Sequence, residues 1–263
     1  IKKPKFIYQR DTGINPGIII AKLLRIPVVL EINGDVLQQN QNALYSKLLQ
    51  CAVKFTYSKA DLIIVHSANN LSNLRSYKIN WKKATIIPNG VNPSKFRIIK
   101  KDVCRARLNL QESCFYFGFI GNLAPWQGLE TAIISFSKLL KEEKNRNIKL
   151  LIVGEGVLEK KLKKLVSDLR IDKHITFLGG VSHDVIPYVI NACDVCIAPF
   201  TSWRNKKLGL SPLKLFEYLS CGKPVIASAV PGTELVEKLN AGILVKPDDI
   251  HALKHAYSEA IQN

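Results

Sequence analysis

Short apolar runs rich in Val and Ile recur along this chain, and each is followed by a longer stretch in which apolar residues return every third or fourth position. The runs suit strands buried on both faces and the stretches suit helices that cover them, so the alternation predicts parallel strands joined by crossover helices, an α/β fold. In the first part, strands are expected at 6–8, 27–32, 62–66 and 85–87, with helices near 15–24, 42–58 and 69–76. A turn-rich stretch, Pro88-Asn-Gly-Val-Asn-Pro93, leads into a polar passage. A second set of strands is then expected at 115–120, 150–153, 175–178, 195–198, 224–227 and 243–245. Its helices fall near 127–141, 158–169, 183–192, 212–220, 231–239 and 249–261. The boundary falls near residue 96, which gives domains of 1–95 and 96–263. The second reads as a complete Rossmann-like domain. The first has too few strands for one, so its opening βαβ units are expected to be missing.

Composition narrows the functional classes. No apolar run approaches the roughly 20 residues that a membrane-crossing helix needs, and the first five residues do not read as a signal peptide, so a cytoplasmic location is expected. The chain starts at Ile1 and contains no Met, which reads as a fragment lacking its true start. Cys193 and Cys196 form a CxxC, but no second pair completes a zinc set and the segment reads as a strand rather than a helix start. Buried reduced thiols are the simpler reading. Of the net charge of +17, residues 1–95 carry 14 Lys/Arg against 4 Asp/Glu, a net of +10, and the remainder carries 24 against 17. The aromatic and basic residues do not interleave as single-stranded nucleic acid requires. The charge therefore points to anionic lipid or phosphate, or to a solvated surface, rather than to nucleic acid.

In an open parallel sheet, ligands collect at the carboxyl ends of the strands. After the strand at 115–120 comes Gly121-Asn-Leu-Ala-Pro-Trp-Gln-Gly128, whose glycines permit close approach of backbone to a ligand or simply a packing turn. Gly154-Glu-Gly156 begins like a dinucleotide fingerprint, but Glu159 stands where a third glycine belongs, which argues against nicotinamide and flavin. Gly179-Gly180 suits a tight turn or close passage of a base. In Ser211-Pro-Leu-Lys-Leu-Phe-Glu-Tyr218, Ser211 is expected to cap a helix and Pro212 to open it, leaving first-turn N–H groups unpaired. Lys214 would sit in that first turn, where a cation opposes the helix dipole unless an anion binds, so the expected ligand is a diphosphate. Glu217, one turn on, suits a ribose diol, whereas a surface Lys–Glu pair is the plainer alternative.

Together these segments resemble the retaining glycosyltransferases of family 4, which have the two-domain GT-B fold. The likeness runs from about Pro27 onward, through Pro27-Val-Val-Leu-Glu-Ile-Asn-Gly34, Ile87-Pro-Asn-Gly-Val-Asn92, Gly118–Gly128, Leu151-Ile-Val-Gly-Glu-Gly156 and Ser211–Ala227. It implies an acceptor-holding first domain, a second domain that binds a nucleotide-diphosphate sugar, and transfer that retains the anomeric configuration without a bound metal or other cofactor. Carried over by position, Lys214, Glu217 and Asn33 fall at the catalytic centre. The donor would lie against Gly121, Asn122, Gln127, Gly154, Gly156, Gly180, Val181, Ser211, Pro212, Leu213, Lys214, Leu215 and Glu217. The chain departs from the family pattern where Gly209 replaces the first of two paired glutamates, where Asn122 and Gln127 replace Arg and Lys, and where Asn33 replaces a histidine. Lys214 would then neutralise most of the phosphate charge, helped by Arg204, Lys206 or Lys207 in the preceding loop.

The expected partners are a nucleotide-sugar donor, a glycan or lipid-linked acceptor of envelope polysaccharide assembly, and an anionic membrane surface on the cytoplasmic face. Two alternatives stand beside this. A sugar-nucleotide 2-epimerase of the same fold would need a carboxylate and histidine cluster that His66, His174 and His183 do not form in sequence, with His183 expected as an exposed residue in a helix's first turn. A non-catalytic nucleotide-sugar binding module needs no such cluster.

Overall fold

The computed structural model describes residues 4–13, 15–33, 43–143, 146–208 and 211–262, with backbone alone for 43–48 and 207–208. Gly34, Gly209 and the Lys207 side chain lie outside the described residues. The chain forms two compact units, Ile1–Asn89 with Lys207–Ser211, and Gly90–Lys206 with Pro212–Asn263. Both are α/β, each built on a parallel, Rossmann-like sheet.

The first unit holds strands β1 (Ile7–Arg10), β2 (Val28–Ile32), β3 (Leu62–Val65) and β4 (Ala84–Ile86), paired in parallel in that order. Helices α1 (Pro16–Leu23), α2 (Ala43–Lys59) and α3 (Ala68–Ser76) connect them. Val28, Leu30 and Ile32 alternate inward from β2 and pack with Ile18 and Ala21 of α1, Val53 and Tyr57 of α2, and Leu74 of α3. Ser67 caps α3 by accepting from the Asn70 N–H at 3.2 Å. At the amino end of the sheet, the Asp61 carboxylate accepts from Lys22 Nζ and from the Val28 N–H, both at 2.7 Å.

The second unit runs α4 (Lys101–Arg107), β5 (Phe115–Ile120), α5 (Leu129–Glu142), β6 (Ile148–Val153), α6 (Glu159–Asp168), β7 (Ile175–Gly179), α7 (Ile186–Ala192), β8 (Val195–Ala198) and α8 (Ser202–Leu208). It then continues through α9 (Leu213–Ser220), β9 (Val225–Ser228), α10 (Leu235–Lys238), β10 (Gly242–Val245) and α11 (Ile250–Gln262). The sheet order is β10-β9-β8-β5-β6-β7. The chain builds outward from β5 to β7 and then returns to the other side of β5 as β8, so the loops after β5 and β8 diverge at a switch point where a crevice opens. Phe117 of β5, Phe136 of α5 and Tyr257 of α11 centre the core with edge-to-face rings, the Phe117–Tyr257 centroids lying 4.7 Å apart. Ser135 Oγ donates to Ile250 O at 3.0 Å and fixes the start of α11 against α5.

All ten expected strands form, and the helices differ in instructive places. Residues 101–107, read from sequence only as part of a polar passage, form α4, whose buried face is Cys104 and a charged residue, Arg105, so no apolar period marks it. Residues 202–208, expected as a loop, form α8, anchored by fully buried Asn205, whose Nδ2 donates to Trp126 O at 2.9 Å and Thr201 O at 2.8 Å. The helix expected from 183 starts at Ile186, because Ser182, His183 and Asp184 make a turn closed by Val185 N–H to Ser182 O at 2.9 Å. The helix expected over 231–239 shrinks to α10, since Thr233 Oγ1 spends its proton on the carbonyls of Ser228 and Val230 in a tight turn. Cys193 and Cys196 are both buried, with Cys193 Sγ 3.2 Å from Val189 O.

Candidate functional site

Three loops at the carboxyl edge of the second sheet are laced together. The Gly121 N–H donates to Val153 O at 2.9 Å, Gly154 to Gly179 O at 2.8 Å and Leu123 to Glu155 O at 2.9 Å. Gly154 has φ of +128°, and a Cβ there would lie 2.0 Å from the Gly121 carbonyl oxygen, so no other residue fits without moving both loops. A Cβ on Gly156 would likewise meet Leu123 O at 2.6 Å. Loop packing thus accounts for both glycines without a ligand. Gly180 donates to Glu155 Oε1 at 3.3 Å, Val181 is half-buried beside it, and Asn122 is exposed on the first loop.

Helix α9 reaches this edge through Tyr218, fully buried, whose hydroxyl accepts from the Ile120 N–H at 2.9 Å and donates to Ile120 O at 3.2 Å. That clasp fixes the helix to the last residue of β5. Leu215 is buried on the same side, while Leu213 is exposed. The expectation that Ser211 caps α9 is corrected. Pro212, extended at φ −77° and ψ 114°, occupies the cap position and offers no side-chain bond. Ser211 belongs to the first unit, where its Oγ accepts from the Asn89 N–H at 2.8 Å and its carbonyl from Asn89 Nδ2 at 2.7 Å. The hydroxyl is used to hold the chain, so it does not turn back onto the helix.

Lys214, in the first turn of α9, is 9% exposed, which excludes the plainer reading of a surface pair. Its Nζ donates to Gln127 Oε1 at 2.7 Å and lies 3.8 Å from the Phe119 ring centroid. The ammonium also stands 2.7 Å from where a Cβ on Gly121 would be, so that glycine makes room for it. Burial pulls the Lys214 pKa down to about 7, a shift that the nearby Glu217 carboxylate only partly opposes. Gln127, Gly121 and Lys214, proposed from sequence as donor contacts, are thus brought together. Arg204, expected to help neutralise phosphate, stacks its guanidinium 4.3 Å from the ring centroid of Trp126, the neighbour of Gln127, and burial lowers its pKa. Lys206 instead lines an open cavity of about 530 Å³ with Val230, Pro231, Thr233 and Glu234.

Glu217 is also largely buried, and burial raises its pKa against the attraction of His183, Lys214 and Lys95. Among the described residues no hydrogen bond reaches its carboxylate, and His183 Nε2 stands 3.8 Å from Oε1. His183 is exposed, as expected from sequence, yet it lies beside one carboxylate that sequence did not pair with it. Lys95 Nζ is 2.6 Å from both His183 Nδ1 and Asp184 Oδ1. Lys95 carries no signal of this in sequence, although it lies two residues beyond the turn-rich Pro88–Pro93 stretch.

In the first unit, Asn33 follows β2 and is exposed. Beside it, Glu31 accepts from Tyr8 Oη at 2.8 Å through Oε2, and its Oε1 lies 2.9 Å from His66 Nε2. Burial pushes the Glu31 carboxyl up, but hydrogen bonds from Tyr8, His66 and Asn33 outweigh it and its pKa is lowered. Glu31, His66 and Tyr8 were not identified from sequence, because partners 23 and 35 residues apart carry no local signature.

Among the described residues, no group of three or more His, Cys, Asp or Glu side chains is placed to hold a metal ion, and no helix is long and apolar enough to cross a membrane. The family described as glycosyl transferases group 1 matches residues 100–263, and that described as Glycosyltransferase Family 4 matches residues 12–95. The chain belongs to the group 1 glycosyltransferases. Among curated relatives of this group 1 chain, a UDP-Gal:alpha-D-GlcNAc-diphosphoundecaprenol alpha-1,3-galactosyltransferase of Escherichia coli is 27% identical over 269 residues, covering 97% of this chain and 66% of the relative. An uncharacterized glycosyltransferase of Methanocaldococcus jannaschii is 28% identical over 224 residues, covering 83% and 53%. Anabaena Alr3699/HepE, crystallised with UDP, shares the fold at a TM-score of 0.77 and 21% identity, covering 94% of this chain and 65% of that one. The group 1 chain thus spans about half to two-thirds of the length of these proteins.

Proposed function

We propose that the second unit binds a nucleotide-diphosphate sugar, and that the protein to which this chain belongs transfers the sugar, with retained anomeric configuration, to a glycan or lipid-linked acceptor. The observation that carries the reading is Lys214, a buried ammonium with one neutral hydrogen-bond partner, in the first turn of a helix where Leu215 N–H already bonds Pro212 O and the two N–H groups ahead of it, of Leu213 and Lys214, precede any intrahelical acceptor. A diphosphate there supplies the missing counter-charge, and Glu217, one turn on, accepts from the ribose hydroxyls. In the transfer, the anomeric carbon–oxygen bond to the distal phosphate is exchanged for a bond to an acceptor hydroxyl, releasing nucleoside diphosphate and a proton. Lys214 and the helix start stabilise the charge that develops on the leaving diphosphate, and no metal or other cofactor enters this scheme.

UDP-sugars are the first donors to test, because HepE was crystallised with UDP and the E. coli relative is named for UDP-galactose. That relative's named acceptor, a diphosphoundecaprenol-linked sugar, supports an acceptor held at the inner face of the cytoplasmic membrane in envelope polysaccharide synthesis. Peripheral contact with anionic lipid also gains support from α1, which exposes Ile20 and Leu23, with Leu24 just beyond its end, beside Lys22 and Arg25. Asn33, beside the Glu31–His66 pair, is the acceptor-side residue in this scheme. Titration with UDP, GDP and ADP in the presence of EDTA tests the donor half. One nucleotide should bind saturably, and Glu217→Ala should weaken it; no binding by a folded wild type to any of the three would refute the reading.

A further inference from the structure

Glu217 presents an electrostatic problem that the donor reading leaves open. A carboxylate this buried, without a hydrogen bond among the described residues, drifts toward its neutral form, and a neutral carboxyl is a poor acceptor for two hydroxyls. Two charged or titratable groups from two loops act on it, His183 and Lys95. Lys95 leaves the Pro88–Pro93 turn and sends Nζ to Asp184 Oδ1 and His183 Nδ1, both at 2.6 Å. An ammonium has protons and no lone pair, so it donates, and Nδ1 of His183 must be the accepting nitrogen. The imidazole proton then resides on Nε2, the atom 3.8 Å from Glu217 Oε1. Phe96 packs its ring edge-on to the imidazole, with centroids 5.4 Å apart at 71°, and fixes its plane. Asp184, held by Lys95, keeps the ammonium from moving to Glu217 itself.

We infer that Lys95 and His183 form a relay that fixes one imidazole tautomer and so aims an N–H at Glu217, keeping that carboxylate ionised and turned to receive the vicinal diol of a nucleotide's ribose. His183 is thus a positioning residue that makes the site selective for ribonucleotides over 2′-deoxyribonucleotides. This rests on the donor reading and extends it. The charged and titratable groups that act on Glu217 are His183 and Lys95 from the loops, and Lys214, Tyr218 and Cys221 on or just beyond its own helix. With Glu217 raised, the diol contact is present above its pKa and is lost as pH falls through it. Removing the His183 N–H raises that pKa further, so the loss begins at higher pH.

The test is the pH profile of binding for UDP and 2′-deoxy-UDP to wild type, His183→Ala, His183→Gln and Lys95→Met. The His183 and Lys95 side chains are 61% and 28% exposed, so the packing at stake is the single ring contact of His183 with Phe96. Protonation of the diphosphate itself contributes equally to every protein. The acid limb should move to higher pH in His183→Ala, with UDP bound about tenfold more weakly at mildly acidic pH and with less preference for the ribose form. His183→Gln, whose amide can supply the N–H, should recover most of both effects, and Lys95→Met should fall between. A His183→Ala profile that superimposes on a wild type that binds UDP overturns the relay alone. A wild type that binds no nucleotide overturns the donor reading and the relay together.

Discussion

Two buried cations stand at opposite edges of the six-stranded sheet, and they are kept in opposite ways. At the amino edge, Arg105 donates to Asp194 Oδ2 at 2.6 Å, to Ala192 O at 3.0 Å and to Glu112 O, and its guanidinium lies 5.0 Å from the Tyr116 ring centroid. Asp194 is completed by Lys101 at 2.6 Å and the Tyr116 N–H at 2.8 Å. At the carboxyl edge, Lys214 has the Gln127 amide, an aromatic face and no carboxylate within bonding distance among the described residues. The first arrangement satisfies every charge it buries. The second leaves a charge wanting an anion, and a lock of the Arg105 kind would have closed the crevice in which the proposed donor is seated.

The largest effect should come from breaking the amino-edge lock. Asp194→Ala strands Arg105 and should cost about 3–5 kcal/mol in urea unfolding, while the folded protein keeps its nucleotide affinity. Lys214→Met should act in the reverse sense, raising stability by about 1–4 kcal/mol at pH 6 while abolishing diphosphate binding. The sign follows from a folded pKa of about 7 set against an ordinary 10.5. Below pH 7 the folded protein carries the full cost of the buried charge, and between 7 and 10.5 that cost fades, so the Tm gap between variant and wild type should narrow by pH 9.

The same titration predicts that diphosphate affinity falls by up to about tenfold per pH unit above pH 7, with proton uptake on binding visible as a heat that depends on the buffer. The smallest change is Gly121→Ala. Its φ of +150° and the 2.7 Å approach of its Cβ to Lys214 Nζ should cost about 1–3 kcal/mol and push the ammonium off its seat, weakening binding without removing it. If that variant bound as wild type does, the seat described for Lys214 would be wrong.

The contrast between the edges also marks what could be read in the sequence. The strands were legible because each buries a short β-branched run, and the first-turn place of Lys214 because Ser-Pro just before it marks a helix start. Helix α4 and its lock were not, since Arg105 and Asp194 are 89 residues apart and a buried arginine interrupts the apolar period by which helices are found. Ser211 read as a cap because its local sequence permits one, yet Asn89, 122 residues away, takes its hydroxyl. Lys95, His183 and Glu31 stayed hidden for the same reason: their meaning lies in partners that only the folded chain supplies.

The most direct test of the account is a calorimetric titration of UDP into wild type and Lys214→Met at pH 6.5, with Tm recorded for both. Saturable binding by the wild type, lost in a variant that melts no earlier, is the predicted result. Equal binding by the two proteins would contradict it.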